Sequence, residues 1–318
     1  MPELEELTID YLNEQKKIIN LFNSKKLKIL KIRYNDFLEI DNIPLECVEI
    51  TSSTTSTKEN NILIIKKILS MNTLKEAKIQ LNSISDEDIL KIEGINYSLT
   101  SLSIESKDLI LYNLQKKFPN LTKFKISYKR CIEFPSVNVI EIKENSDSKI
   151  NDFYLYAKTF SYKFYCGIFE NLISVVLCFS YNSKVENIKD CFPIFTPKSK
   201  TIFKSLKFLK ISMGYPIKSD IIKIIMNNLD NIPKLEHFDF FIEVEKISHK
   251  LYLNFIKKVL SMKNLNYIRI NICLKNNKDG PHFLSEKELR DLFPKIKFPK
   301  KLSHVKINSL NSSDCLII

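Results

Sequence analysis

The chain has 318 residues, 44% of them hydrophobic and 27% charged, with a formal net charge of +12. That apolar share supports a large core and excludes global disorder. The four glycines, Gly94, Gly167, Gly214 and Gly280, are scattered. GxGxxG and GxxxxGK[ST] phosphate loops are therefore excluded, because they need clustered glycines to bring backbone against the ligand.

Read in chain order, the first six residues, Met-Pro-Glu-Leu-Glu-Glu, are acidic and lack the apolar run of a secretory signal. A short pattern then recurs: apolar, two variable, apolar, one variable, apolar. It begins at Leu4-Leu7-Ile9, Leu27-Leu30-Ile32, Leu45-Val48-Ile50 and Leu74-Ala77-Ile79. Leu99-Leu102-Ile104, Leu121-Phe124-Ile126 and Val137-Ile140-Ile142 follow. Leu172-Val175-Leu177, Leu206-Leu209-Ile211, Leu235-Phe238-Phe240, Leu265-Ile268-Ile270 and Leu302-Val305-Ile307 complete twelve copies. The second and third apolar positions lie two apart, so the last four residues of each copy predict a short strand with both apolar side chains on one face. The first apolar position lies in the turn that enters the strand.

The intervals between copies have helical character. Ile62–Leu69 is apolar around Lys66-Lys67, and Ser85-Asp-Glu-Asp88 has capping-box spacing before Ile89-Leu90. Ser106 precedes an expected helix over Leu109–Phe118. Ser219-Asp220 precedes Ile221, Ile225 and Leu229, which share a helical face. Ser285 and Glu288 form a second capping box before Leu289 and Leu292. Residues 150–170 are rich in Phe and Tyr and read as an inserted or degenerate repeat. No run of about 18 apolar residues occurs, so no membrane-spanning helix is expected.

Strand, turn, helix and turn, repeated at intervals of 16 to 37 residues, resembles the leucine-rich repeat family. The closest likeness is to its irregular, helix-containing, ribonuclease-inhibitor-like type. The family's Asn or Cys after the strand is matched only by Asn35 and loosely by Asn82. The resemblance implies an α/β solenoid: a parallel concave sheet of about 12 short strands with helices on the convex side. One solenoid is expected over residues 1–309, followed by a flexible tail over 310–318.

In that fold the variable strand positions line the concave face. A central row follows: Lys31, Lys78, Lys125, Lys210, Arg269 and Lys306 against Glu49, Glu141 and Asp239. The aromatic residues of the face are Phe208, Phe241 and Tyr267, and Val139, Ile173 and Val176 form an apolar patch. Twelve basic and ten acidic residues occupy these positions, so most of the excess charge lies elsewhere. A mixed face suits a protein partner, where opposite charges set register, better than nucleic acid. Lys31, Lys78, Lys125, Lys210, Arg269, Lys306, Phe208, Phe241 and Tyr267 are therefore the expected partner-binding residues.

No catalytic constellation appears. The seven cysteines form no CxxC pair and read as reduced thiols in an intracellular compartment. His237 and His304 fall in one column two strands apart, about 10 Å, too far to share a metal or a proton. His249 and His282 stand alone, and no serine lies in a GxSxG elbow. No enzyme activity, metal, cofactor or small-molecule substrate is expected.

The last four residues, Cys315-Leu316-Ile317-Ile318, resemble a CaaX prenylation tail, and Lys295, Lys297, Lys300, Lys301 and Lys306 lie upstream. One lipid chain with a basic patch would hold the protein at the cytoplasmic face of a membrane through Cys315. The alternative is an apolar end tucked against the last repeat. The expected function is a non-catalytic protein-interaction scaffold. The substrate-recognition part of a ubiquitin ligase, or a GTPase activator presenting Arg130, are the alternatives.

Overall fold

The computed structural model describes residues 4–9, 19–20, 25–34, 38–39, 43–52, 58–80, 94–105, 109–112, 114–127, 140–143, 152–157, 162–165, 171–179, 193–196, 202–274, 301–308 and 315–317. The chain divides into two compact units. One comprises Met1–Tyr154 with Tyr165–Ile168, the other Leu155–Phe164 with Phe169–Ile318.

The first unit contains β1 (Glu6–Ile9), β2 (Ile19–Asn20), β3 (Ile29–Tyr34), β4 (Leu38–Glu39) and β5 (Cys47–Ser52). Helix α1 (Lys58–Leu69), β6 (Glu76–Gln80), β7 (Ser101–Glu105), β8 (Leu109–Tyr112), α2 (Leu114–Lys117), β9 (Lys123–Ser127) and β10 (Ile140–Lys143) follow. Strand β11 (Asp152–Ala157) crosses the boundary between the units. The main sheet runs β1-β3-β5-β6-β7-β9, all parallel. Leu7, Leu30, Val48, Ala77, Leu102 and Phe124 stand in one register column, and Ile9, Ile32, Ile50, Ile79, Ile104 and Ile126 in the next.

The second unit holds β12 (Tyr162–Tyr165) apart from its last residue, then β13 (Ser174–Phe179) and β14 (Phe208–Ile217). Helix α3 (Asp220–Asn228), β15 (His237–Val244), α4 (His249–Leu260), β16 (Tyr267–Leu274), β17 (His304–Asn308) and β18 (Cys315–Ile317) complete it. Strands β13 to β17 are parallel neighbours in chain order. Val175, Leu209, Phe238, Ile268 and Val305 align, as do Leu177, Ile211, Phe240, Ile270 and Ile307. All ten of these side chains are buried. Within the stretch expected as a tail, Cys315–Ile317 pairs antiparallel with β17, and Cys315 stands opposite Asn308.

The recurring pattern maps onto this architecture copy by copy. Eleven of the twelve copies fall on the parallel strands just named. The residue after the first apolar position repeats one backbone arrangement: its carbonyl accepts two N–H groups from the next strand's entry. Lys28 O accepts from Glu46 and Cys47, Glu46 O from Lys75 and Glu76, and Lys75 O from Thr100 and Ser101. In the second unit Lys207 O accepts from Glu236 and His237, and Glu236 O from Asn266 and Tyr267. The leucine before each of these carbonyl residues is buried, so the turn is fixed by packing and by hydrogen bonds together.

Two expectations change. The seventh copy, Val137-Ile140-Ile142, supplies β10, which pairs with β8 outside the main sheet. The helix expected over Leu109–Phe118 is instead β8 followed by the single turn α2. Leu109-Ile-Leu-Tyr112 is an unbroken apolar run, and such a run fits a buried strand as well as a helix face. The capping boxes at Ser85 and Ser285 lie outside the described residues.

The helices close the core. Asn61, Ile64, Ile65, Ile68 and Leu69 of α1 are buried, while Glu59 in its first turn and Lys66 and Lys67 in its last turn complement the helix dipole. Ile221 and Ile225 of α3, and Leu229 just beyond it, are fully buried, as their spacing predicts. In α4 the Ser248 hydroxyl accepts from the Leu251 N–H at 3.3 Å, capping the helix. Phe255 of α4 packs on Phe238 and Phe240 with ring centroids 6.5 and 5.1 Å away. Burial pushes the Tyr252 phenol well above its ordinary range.

The exits of α1 and α4 are near copies. Lys66-Lys-Ile-Leu-Ser-Met71 matches Lys257-Lys-Val-Leu-Ser-Met262 at five of six positions. Ser70 N donates to Lys66 O at 3.1 Å and Ser261 N to Lys257 O at 3.0 Å. Met71 N donates to Ile68 O, and Met262 N to Val259 O, both at 3.1 Å. Each unit thus carries the same helix–turn–strand piece.

Candidate functional site: the exposed sheet faces

A parallel strand places alternate residues on opposite faces. With one face committed to the core, the variable positions of the copies on the parallel strands of each unit come together on the other.

In the first unit this face is a lattice of compensated charge. Lys31 Nζ lies 2.7 Å from Glu6, Lys75 Nζ lies 2.7 Å from Glu46, and Lys78 pairs with Glu49. The hydrogen bond and charge of Glu6 hold the Lys31 ammonium above its ordinary range, and Lys75 holds the Glu46 carboxyl below its own. Lys125 Nζ stands 4.8 Å from the centre of the Tyr154 ring. Thr51 Oγ1 donates to Gln80 Oε1 at 3.0 Å. In-register strands about 4.8 Å apart bring a lysine of one copy beside an acid of its neighbour, which explains the pairing.

In the second unit the face is different. Phe208, His237, Tyr267 and His304 occupy the same position of four consecutive copies and are register partners. Their rings stack in a continuous ladder. Centroid separations are 4.3, 4.0 and 4.7 Å and interplanar angles 21°, 3° and 9°. The cause is geometric, since parallel in-register strands repeat at nearly the stacking distance of flat rings. All four rings are half-buried. Burial lowers the His237 pKa; the neighbouring Asp239 works against that shift, and Lys210 and His304 add to it.

One pleat further along lie Lys210, Asp239, Arg269 and Lys306, again register partners. Asp239 is 9% exposed, and Lys210 Nζ lies 3.6 Å from its carboxylate. Arg269 is exposed and Lys306 half-buried, and among the described residues neither has an acidic partner within ion-pair distance. The next row holds Ser212, Phe241 and Asn271. Cys273 Sγ donates to Asn271 Oδ1 at 3.3 Å. Burial, helped by Glu243, raises the Cys273 thiol, and burial with Glu76 and other neighbours raises Cys47. Neither is the low-pKa thiolate of a reactive cysteine.

The expected partner-binding residues are thus divided. Lys31, Lys78 and Lys125 lie in the first unit. Lys210, Arg269, Lys306, Phe208, Phe241 and Tyr267 lie in the second. Phe208 and Tyr267 join the ring ladder, whereas Phe241 stands two residues beyond Asp239. Of the apolar patch, Ile173 is exposed and Val176 half-buried, while Val139 and Arg130 lie outside the described residues. No group of three or more His, Cys, Asp or Glu suited to a metal occurs among the described residues.

Compared with known proteins, this chain matches no family model, no curated protein and no solved structure.

Two features escaped the sequence reading. His237 and His304 lie two strands apart in one column, and the structure sets Tyr267 between them and Phe208 beyond. The signal was present: each of the four lies two residues after the first apolar position of its copy. The buried asparagines gave no such signal. Asn96 Nδ2 donates to Leu69 O at 2.9 Å and Met71 O at 3.0 Å, and its Oδ1 accepts from the Ser98 and Leu99 N–H groups. Asn228 Nδ2 donates to Ile194 O and Thr196 O at 3.0 and 2.9 Å. The family pattern directs attention to an asparagine after the strand, not to these.

Proposed function

We propose that this chain is a non-catalytic interaction protein of irregular leucine-rich-repeat type that binds a protein partner on its exposed sheet faces. The observation that carries the reading is the register. The eleven copies on the parallel strands present their variable residues on the face opposite the core, so opposite charges and polar-edged rings are gathered there. Such a surface offers area, charge register and half-buried rings, the ingredients of protein recognition. Burial raises the pKa of the Cys47 and Cys273 thiols, so neither of these two is an activated nucleophile.

The test is affinity capture from a eukaryotic lysate with wild type, with Lys78→Glu/Lys125→Glu/Lys210→Glu, and with a control on exposed positions of α4, Lys250→Glu/Lys257→Glu. A stoichiometric protein partner kept by wild type and the control and lost by the triple variant supports the reading. A partner retained by all three chains shows that binding lies elsewhere.

A further inference from the structure

Arg269 and Lys306 stand directly opposite each other on β16 and β17. Like charges at facing positions of neighbouring strands repel. Elsewhere on these faces several lysines have found acids: Lys31 has Glu6, Lys78 has Glu49, Lys207 has Glu236 at 2.9 Å and Lys210 has Asp239, while Lys125 lies over the Tyr154 ring. The acid nearest in register to Arg269 is Asp239, and its ion pair is made on the other side, with Lys210. The row Lys210, Asp239, Arg269, Lys306 therefore carries two positive charges in excess, both at one end.

The ring ladder beside this row decides what an anion there can belong to. Phe208 and Tyr267 cover the two faces of His237, and His237 and His304 cover the two faces of Tyr267. Single-stranded nucleic acid is held by bases stacking on open aromatic faces. These two rings offer none. What they present outward is their edges, which carry the Tyr267 hydroxyl and the imidazole nitrogens and are the positive rim of each π-system. Edge donors and a guanidinium with no acidic partner among the described residues suit carboxylates, which accept two parallel N–H bonds from arginine.

We propose that the β16–β17 part of the face binds an acidic, Asp/Glu-rich segment of the protein partner, with Arg269 and Lys306 as its carboxylate-binding residues. The proposal rests on the reading that this face binds protein, and adds the chemistry of the partner.

The experiment uses the full chain and a fluorescein-labelled deca-glutamate peptide, read by fluorescence anisotropy at low ionic strength. Wild type binds the peptide. Arg269→Glu/Lys306→Glu weakens binding about tenfold or more, and Arg269→Gln/Lys306→Gln weakens it in the same direction. Lys250→Glu/Lys257→Glu, the same charge change at exposed positions of α4, leaves binding within about twofold. Three results overturn the proposal. Wild type fails to bind the peptide, the control loses as much as the face variant, or an oligothymidylate binds more tightly than the peptide with the same dependence on Arg269 and Lys306. The last outcome assigns the site to nucleic acid. Lysate capture separates the two readings. A partner lost by Lys78→Glu/Lys125→Glu/Lys210→Glu but kept by Arg269→Glu/Lys306→Glu removes the acidic-segment proposal alone. A partner kept by both removes protein binding at this face as well.

Discussion

His237 has a stacked ring on each side, and burial favours its neutral form. Its folded-state pKa therefore lies below the ordinary 6.5 of the unfolded chain. Above pH 6.5 the ring is neutral in both states and the stacked arrangement keeps its full stability. As pH falls below that, the unfolded chain takes up the proton first, so stability declines until the folded-state pKa is passed. Asp239, Lys210 and His304 surround the ring and shift the window without reversing the sign. Urea unfolding from pH 7.5 down to pH 5 should show wild type losing more stability than His237→Phe, which keeps a flat ring but binds no proton. Equal losses would show that His237 does not carry the effect. Asn96 makes the complementary point about polar burial. It is 4% exposed, yet its amide and carbonyl are both bonded, so it joins the end of α1 to the next copy. Nothing in the spacing of apolar residues reports such a bond, which is why it was not legible beforehand.

At the scale of elements, strands were more legible than helices. The apolar pattern sets which residues face the core, and Leu30 with Ile32, Val48 with Ile50 and Leu209 with Ile211 are buried as their spacing requires. Helix α3 was readable because Ile221, Ile225 and Leu229 recur at helical period. The segment Leu109–Tyr112 was not, because its unbroken apolar run does not distinguish strand from helix, and partnership with β10 decides the outcome. Helix α4 was not singled out, although Ser248 gives it a bonded cap. Ser248→Ala should lower stability by about 1 kcal/mol, seen as a shifted urea midpoint with unchanged slope. A midpoint that does not move would mean that the cap contributes nothing to α4. The tail also belongs to this scale: four residues read as a lipidation signal, and the structure pairs the backbone of three of them with β17.

Across the molecule, the formal net charge of +12 is unevenly compensated. On the first unit's face Lys31, Lys75 and Lys78 are matched by acids in adjacent strands, and in the second unit's central row Arg269 and Lys306 have no acidic partner among the described residues. The mixed charge of these faces was legible from the repeat positions alone. Which charges remain uncompensated was not, because that depends on which side chains meet across strands. The central claim is that the sheet face, not the helix side, meets a protein partner. The most direct measurement replaces Tyr267 with a photo-crosslinking p-benzoylphenylalanine in one chain and Asn254 of α4, an exposed position, in another. After irradiation in a eukaryotic lysate, the account predicts a discrete protein adduct from position 267 and none from position 254. An adduct of equal yield from both, or from position 254 alone, would contradict it.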